Sequence, residues 1–368
     1  MGTKTAIEWT DATWSPIRAR VKEDAAKIAR EKRYESLVQI AEKMAGRVGP
    51  HCEHVSPGCG NCYAEANNAR CLPANGTGLP YDRRARDLVE PFLDESHLRL
   101  PLKWRGMERI FVENQSDLFG EWVTDEMLDR VFAVMALCPQ YAFQVLTKRP
   151  ERMLRYFSEA IGRDGSLMTS RRTGSHICTE REMQIREAAG HYLSFVDQRE
   201  VVLRFPLPNL WLGVSVENQA AADERIPLLL QTPAAVRFIS AEPLLEPVLL
   251  DRIGEEPEGY LDALRGFVSC DGRGTKGIAT LDWVICGGES GPGARPMHPD
   301  WARSLRDQCA AASVPFFFKQ WGEWLAAMQD GARDSGILNA SDGPLRVGKH
   351  KAGALLDGAE YRQFPEAR

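Results

Sequence analysis

The sequence of 368 residues lacks the features that mark a membrane or secreted protein. No run of about 18 apolar residues offers a membrane span, although 43% of the residues are hydrophobic. The opening Met-Gly-Thr-Lys-Thr-Ala-Ile-Glu-Trp has no apolar core of the kind that signal peptides carry. There is also no long internal repeat or heptad array. We therefore expect a cytoplasmic globular protein with no membrane partner.

An excess of basic charge is also missing. The chain has 46 Lys and Arg against 51 Asp and Glu, a net charge of −5. This balance argues weakly against a protein coated with positive charge for nucleic-acid binding. A local basic groove remains compatible with the acidic total.

Cysteines are not numerous, but three of the nine lie within eleven residues, at Cys52, Cys59 and Cys62. A disulfide framework is not expected in a reducing cytoplasm. Three thiolates fit a zinc site completed by His51 or His54, with Cys71 as another possible fourth ligand. They equally fit a [4Fe–4S] cluster in which one iron stays open for a cofactor or substrate.

Apolar runs of strand length, most of them ending in polar residues, recur along the chain and alternate with helical patterns. Seven runs are predicted strands, at 5–14, 109–117, 143–149, 210–218, 236–243, 283–290 and 316–321. Helices are predicted at 125–138, 150–161, 220–231 and 299–312. Such alternation indicates a parallel sheet, because parallel strands need long crossover connections. We predict an α/β fold, a (β/α) barrel that is possibly incomplete, with about six or seven parallel strands.

The predicted barrel is one domain over residues 1–325. Three insertions on its rim are expected at 15–50, 162–204 and 250–280, the first with one or two amphipathic helices. A loop-rich extension follows at 326–368. Within it, residues 347–358 are predicted to form a short hairpin with Lys349 and Lys351 at its turn.

Polar residues at the carboxyl ends of the predicted strands would meet at one mouth of such a barrel, where barrel enzymes place their active sites. They are Asn114, Ser116, Asp117, Thr147, Lys148, Glu217, Asn218, Glu242, Glu289 and Lys319. Capping of the next helix is the alternative role for Asp117 or Asn218 taken alone. A divalent-metal-dependent hydrolase using Asp117, Glu217, Glu242 and Glu289 is one functional hypothesis.

Several motifs together resemble a known family. They are Trp-Thr-Asp-Ala-Thr-Trp, Ser-Pro-Gly-Cys-Gly-Asn-Cys-Tyr-Ala-Glu, Leu-Thr-Lys-Arg-Pro, Trp-Leu-Gly-Val-Ser-Val-Glu-Asn, Gly-Gly-Glu-Ser-Gly and Lys-Gln-Trp-Gly. The chain resembles the three-cysteine-motif family of phage and prophage proteins, whose function is unknown. That family in turn resembles radical S-adenosylmethionine enzymes of the spore photoproduct lyase type.

The resemblance implies a [4Fe–4S] cluster on the three cysteines, S-adenosylmethionine as cofactor, and an electron donor such as flavodoxin or ferredoxin. Asn114, Ser116 and Asp117 would contact the methionine end, and Glu217 and Asn218 the ribose. The strand end Gly287-Gly288-Glu289 is similar to the glycine-rich motif of radical enzymes. Lys148, Glu242 and Lys319 are the catalytic candidates. The spacing departs from the usual pattern, with C-x6-C-x2-C in place of C-x3-C-x2-C.

Aromatic and cationic side chains suggest the substrate. Aromatic faces stack on bases, and cations bind phosphates. The candidates are Trp14, Arg149, Trp321, Lys349 and Lys351. We expect an enzyme that acts on nucleic acid or a nucleotide, in lesion repair or base modification. The alternative is a metal-stapled nucleic-acid-binding phage protein without radical chemistry.

Overall fold

The computed structural model describes residues 3–5, 7–70, 76–158, 180–196, 205–254, 259–270, 273–325 and 344–366. The chain divides into two compact units. The first comprises residues 1–56 and 62–210, and the second comprises residues 57–61 and 211–368. The cysteine loop therefore leaves the first unit after Ser56 and returns to it at Cys62.

The first unit contains seven strands and seven α-helices among its described residues. The strands are β1 (Thr3–Lys4), β2 (Ala12–Trp14), β3 (Ile17–Val21), β4 (Val48–Gly49), β5 (Val89–Leu93), β6 (Arg109–Val112) and β7 (Ala142–Thr147). The helices are α1 (Ala25–Glu31), α2 (Glu35–Met44), α3 (Tyr63–Ala69), α4 (Glu95–Leu98), α5 (Asp125–Ala136), α6 (Pro150–Ser158) and α7 (Glu180–Gly190). Strands β2, β6 and β7 pair in parallel in that order, and β1 adds to β2 in antiparallel fashion.

Strand β6 and helix α5 show why this part folds as it does. Ile110 and Val112 are completely buried, as expected of a parallel strand covered on both faces. Helix α5 begins after Thr124, whose hydroxyl accepts a hydrogen bond from the Met127 amide at 3.3 Å. Phe132 on this helix is also completely buried.

The insertion at 15–50 forms a small layer of its own. Strands β4, β3 and β5 make an antiparallel sheet, and α1 and α2 form the predicted helical pair. Small residues such as Ala25, Ala29 and Ala41 are fully buried in the core of this layer. Small side chains let the two helices approach each other closely.

The second unit repeats the strand–helix alternation. Its strands are β8 (Leu210–Ser215, which starts one residue before the unit boundary), β9 (Val236–Ala241), β10 (Tyr260–Asp262), β11 (Phe267–Cys270), β12 (Arg273–Lys276), β13 (Trp283–Gly287), β14 (Phe316–Gln320), β15 (Trp324–Leu325) and β16 (Leu345–Arg346). Its helices are α8 (Gln219–Gln231), α9 (Pro299–Ala312) and α10 (Lys349–Ala352). Strands β8, β9, β13 and β14 pair in parallel in that order.

The predicted fold class is confirmed. Each of the seven predicted runs overlaps one of the seven parallel strands, and helices follow as expected for an incomplete (β/α) barrel. No helix in the described parts of the chain is long and apolar enough to cross a membrane.

The insertions and the extension add details that the sequence did not predict. The insertion at 250–280 contains a small antiparallel sheet of β10, β11 and β12. Lys349 and Lys351 lie in the short helix α10 and not at a hairpin turn, so that detail of the prediction was wrong. Of the insertion at 162–204, only residues 180–196 belong to the described part of the chain.

Candidate functional site

In the first unit, the residues that follow β6 bind the peptide segments next to the first and third cysteines. The hydroxyl of Ser116 donates to the carbonyl of His51 at 2.5 Å. The hydroxyl of Tyr63 donates to the carbonyl of Asn114. Cys52 follows His51 in the chain, and Cys62 precedes Tyr63. Both cysteines are therefore placed beside the carboxyl end of a parallel strand.

Tyr81 binds Gln115, the residue between Asn114 and Ser116. Its hydroxyl donates to the Gln115 carbonyl at 2.7 Å. Burial raises its pKa far above the ordinary value, and the charges of Cys52 and Cys62 raise it further. We call Ser116, Tyr63 and Tyr81 the hydroxyl anchor.

A buried cation lies beside the first cysteine. Arg149 donates from Nη1 to Asp117 at 2.9 Å and from Nη2 to the Glu53 carbonyl at 3.3 Å. Burial lowers the pKa of this guanidinium, but the charges of Asp117 and Cys52 outweigh that effect and raise it. Asp117 also accepts from the Thr147 hydroxyl at 2.7 Å. Asp117 is thus held on several sides and has no free role toward a cofactor.

Glu53, the residue after Cys52, belongs to a second buried ionic group. Its carboxylate lies 2.7 Å from Arg86 Nη2 and 3.7 Å from His51 Nε2. Burial acts to raise its pKa, yet the hydrogen bonds from Arg86 and the nearby His51 ring lower it to about 2. Glu53 is therefore ionised at neutral pH and compensates part of the positive charge near the cysteine.

In the second unit, residues 57–61 are bound by charged side chains. Asn61 Nδ2 donates to Glu289 at 3.1 Å and to the Gly293 carbonyl at 2.8 Å. Arg295 Nη2 donates to the Pro57 carbonyl at 3.0 Å and pairs with Glu289 at 2.6 Å. The segment around Cys59 is therefore fixed at both of its ends.

Glu217 binds the same segment from another strand end. The Gly58 amide donates to its Oε1 at 3.4 Å, and Arg225 Nη1 pairs with its Oε2 at 2.9 Å. A Cβ at Gly58 would lie 3.2 Å from the Glu217 carboxyl carbon, so glycine allows this close approach. We call Glu217, Glu289 and Arg295 the charged anchor.

Glu242 and Lys319 form a further pair in the second unit, near the ends of β9 and β14, which lie on either side of β13. Lys319 Nζ lies 2.7 Å and 3.0 Å from the two Glu242 oxygens. Gly287 lies against this pair, since a Cβ there would be 3.4 Å from the carboxylate. Gly288 approaches the Trp321 carbonyl so closely that a side chain is excluded. These two glycines therefore serve close packing of strand ends.

Several predicted site residues have other roles. Trp14 and Trp321 are both 1% exposed, which leaves no ring face for a base. Asn218 caps α8 by accepting from the Ala221 amide at 2.9 Å. Lys351 is exposed on α10 in the C-terminal extension.

Six cysteines in the described part of the chain divide into two groups by burial, and Cys71, the other suggested fourth ligand, lies outside the described residues. Cys52, Cys59 and Cys62 are half-buried thiols, whereas Cys138, Cys286 and Cys309 are buried. Thiols suit zinc or an iron–sulfur cluster better than a hard cation. Across the described residues, however, no three His, Cys, Asp or Glu side chains converge to hold a metal ion. Thiolates are the usual protein donors to an iron–sulfur cluster.

Sequence reasoning missed some residues. Glu113 is 3% exposed and adopts φ +55°, directly before the predicted cofactor segment. One oxygen accepts from the Ile17 amide at 2.7 Å, and burial raises its pKa to about 8. Arg225 follows Glu217 at a spacing of eight, about two helical turns, which is a signal that could have predicted their pairing. We found no comparable signal for Glu113.

Taken together, the fold and these contacts define an α/β protein with a cysteine loop anchored at the ends of parallel strands. A family model described as "Protein of unknown function (DUF5131)" matches residues 45–365, and the chain belongs to that family. Membership in a family of unknown function is thus confirmed. The family match carries no indication of radical chemistry. No match was found among curated proteins or among solved structures.

Proposed function

We propose that the protein is an iron–sulfur enzyme of the radical S-adenosylmethionine type that acts on nucleic acid or a nucleotide. One observation carries the proposal: Asn114 and Ser116, which follow β6, are hydrogen-bonded to the residues next to Cys62 and Cys52. Carboxyl ends of parallel strands are where (β/α) barrels build active sites. A thiol loop anchored there is placed for catalysis.

Cys52, Cys59 and Cys62 are the proposed ligands of a [4Fe–4S] cluster. When bound, such a cluster supplies the electron that cleaves the sulfonium bond of S-adenosylmethionine. Arg149 contributes fixed positive charge beside Cys52, which favours the thiolate. A partner such as flavodoxin or ferredoxin would reduce the cluster.

We propose fewer residues as contacts to the cofactor than the sequence suggested. Ser116 and Asp117 are occupied by His51 and Arg149. The side chain of Asn114 has only a long contact, 3.4 Å, from the Ser15 hydroxyl. Asn114 is therefore the residue of this segment that has polar groups to offer a ligand.

The hypothesis of a divalent-metal-dependent hydrolase finds less support than the proposed function. Each of the four carboxylates proposed for a hydrolase is paired with a cation: Asp117 with Arg149, Glu217 with Arg225, Glu242 with Lys319, and Glu289 with Arg295. A carboxylate neutralised in this way is a poor ligand for a divalent ion.

Metal analysis tests the proposal directly. Protein purified and reconstituted without oxygen should be brown, hold about four irons, and form 5′-deoxyadenosine from S-adenosylmethionine after reduction. Replacing Cys52, Cys59 or Cys62 by Ala should remove the colour. The matched control Cys309→Ala, at a buried thiol outside the loop, should keep it. Colourless protein that holds one zinc ion would contradict the proposal.

A further inference from the structure

Tyr63 offers the ring face that the buried tryptophans cannot. It is 51% exposed, although it follows Cys62 directly. Its hydroxyl donates to the Asn114 carbonyl, so the ring is held in place by its polar end. An exposed aromatic ring that is fixed in advance loses little freedom when a planar ligand stacks on it.

Lys148 offers a positive charge that no carboxylate neutralises. Its backbone amide donates to Asp117 at 3.1 Å, which places the residue beside the segment 114–117. Within the described residues, its ammonium makes no ion pair or hydrogen bond. The neighbouring Arg149 is buried and committed to Asp117. Lys148 is half-buried and is therefore the cation here with the capacity to bind an anion.

Asn114 lies between these two residues in the network. Tyr63 binds its carbonyl, and Lys148 binds the carboxylate three residues further along the chain. The amide NH₂ of Asn114 has no partner among the described residues, and its Oδ1 accepts only the long bond from Ser15. A side-chain amide offers both donors and an acceptor, which is what the edge of a base requires.

We propose that Tyr63, Asn114 and Lys148 form a binding site for one unpaired nucleotide of a nucleic-acid strand. The base stacks on Tyr63, its edge meets the Asn114 amide, and its phosphate binds Lys148. This inference rests on the proposed function. It assigns Asn114 to the substrate in place of the cofactor, gives Lys148 a binding role, and adds Tyr63 as a new substrate contact. The adenine of the cofactor has a similar planar ring but carries no phosphate, so Lys148 favours the substrate.

Binding can be measured without the cluster, using metal-free full-length protein and a fluorescein-labelled single-stranded oligothymidylate. Stacking contributes about 1–3 kcal/mol per base, so Tyr63→Ala should weaken binding by roughly 5- to 150-fold, and Tyr63→Phe by less. Lys148→Ala should also weaken binding and should reduce the salt dependence by about 0.7 in log–log slope. The controls Phe195→Ala and Lys27→Ala remove an exposed ring and an exposed cation elsewhere in the first unit.

Two results would overturn the site. One is unchanged affinity in both Tyr63→Ala and Lys148→Ala. The other is displacement of the oligonucleotide by S-adenosylhomocysteine together with a normal affinity in Lys148→Ala, which would assign the ring to the cofactor. Photocrosslinking of a bromodeoxyuridine oligonucleotide to unmodified protein should map to Tyr63 and does not depend on how a variant folds. Because the binding assay uses metal-free protein, its result is independent of the iron analysis. The protein can bind the oligonucleotide without holding iron, and it can hold iron without binding the oligonucleotide.

Discussion

The ends of the cysteine loop and its centre are held by different chemistry. In the first unit the hydroxyl anchor donates to backbone carbonyls, and Arg149 and Glu53 add charges beside Cys52. In the second unit the charged anchor binds residues 57–61 through carboxylates and a guanidinium. A neutral hydrogen bond is worth about 1 kcal/mol net and is insensitive to salt. Buried ionic groups are costly when one partner is removed. Mutations in the two anchors should therefore differ in the size of their effect on stability and in its dependence on salt.

The largest effect is expected at Glu217, which is 1% exposed and pairs with the buried Arg225. Glu217→Gln leaves the guanidinium buried without its counter-ion, and we expect a loss of about 3–5 kcal/mol in the free energy of unfolding. Urea denaturation measures this loss. The double variant Glu217→Leu with Arg225→Met should recover much of the stability, because no lone charge remains. If Glu217→Gln were as stable as the wild type, the charged anchor would not depend on this ion pair, and the contrast with the hydroxyl anchor would be lost.

Glu113 is a buried carboxyl group close to the residues that the hydroxyl anchor binds. It should make the free energy of unfolding depend on pH. Its pKa is raised from 4.5 to about 8 by burial in the folded protein. The unfolded chain releases this proton first, so the stability should fall as pH rises from about 4.5 to about 8 and then level off. Each unit of difference is worth about 1.4 kcal/mol, which makes the total several kcal/mol.

Urea unfolding at a series of pH values from about 5 to about 9 checks this expectation. Glu113→Gln keeps the size of the side chain but cannot ionise, so its stability should change less over this range. The matched control is Glu108→Gln, because the side chain of Glu108 is 83% exposed. If Glu113→Gln showed the same fall as the wild type, another group would be responsible.

The strands were predictable because burial on both faces leaves continuous apolar runs. Strand β8 is buried along its whole length, and its sequence Leu-Trp-Leu-Gly-Val-Ser shows this directly. Polar residues at strand ends were also predictable, but their partners were not. Glu242 meets Lys319 across 77 residues because their strands lie near one another in the sheet, which no local pattern encodes.

The exposure of the predicted substrate contacts could not be predicted from the sequence, for a related reason. Trp14 follows a strand pattern whether its ring faces solvent or the core, and the indole Nε1 finds its partner in the His97 carbonyl at 2.8 Å. Exposure depends on which elements cover a residue. The sequence places Tyr63 directly after the third cysteine, but only the structure gives its exposure of 51%.

A moderate effect is expected when the charged anchor is weakened at Glu289, which is 5% exposed while its partner Arg295 is 37% exposed at the side chain. Glu289→Gln should loosen residues 57–61 by roughly 1 kcal/mol, since solvent screens the pair. In metal-free protein, alkylation of Cys59 should then become about fivefold faster. Cys62 serves as the internal reference, and mass spectrometry of the modified peptides gives both rates. Equal acceleration at both thiols would contradict a local role.

The smallest effect is expected at Ser116, whose hydroxyl donates to the His51 carbonyl at 2.5 Å. Ser116→Ala should cost about 1 kcal/mol in the free energy of unfolding, because one neutral hydrogen bond is lost. The control Ser194→Ala removes an exposed hydroxyl on the same unit and should leave stability unchanged. The loss at Ser116 should be the same in low and high salt, whereas the effect of Glu289→Gln on Cys59 alkylation should shrink as salt rises. A strong salt dependence at Ser116 would mean that the first unit also holds the loop by charge, through Arg149, and the two anchors would then be one kind of interaction.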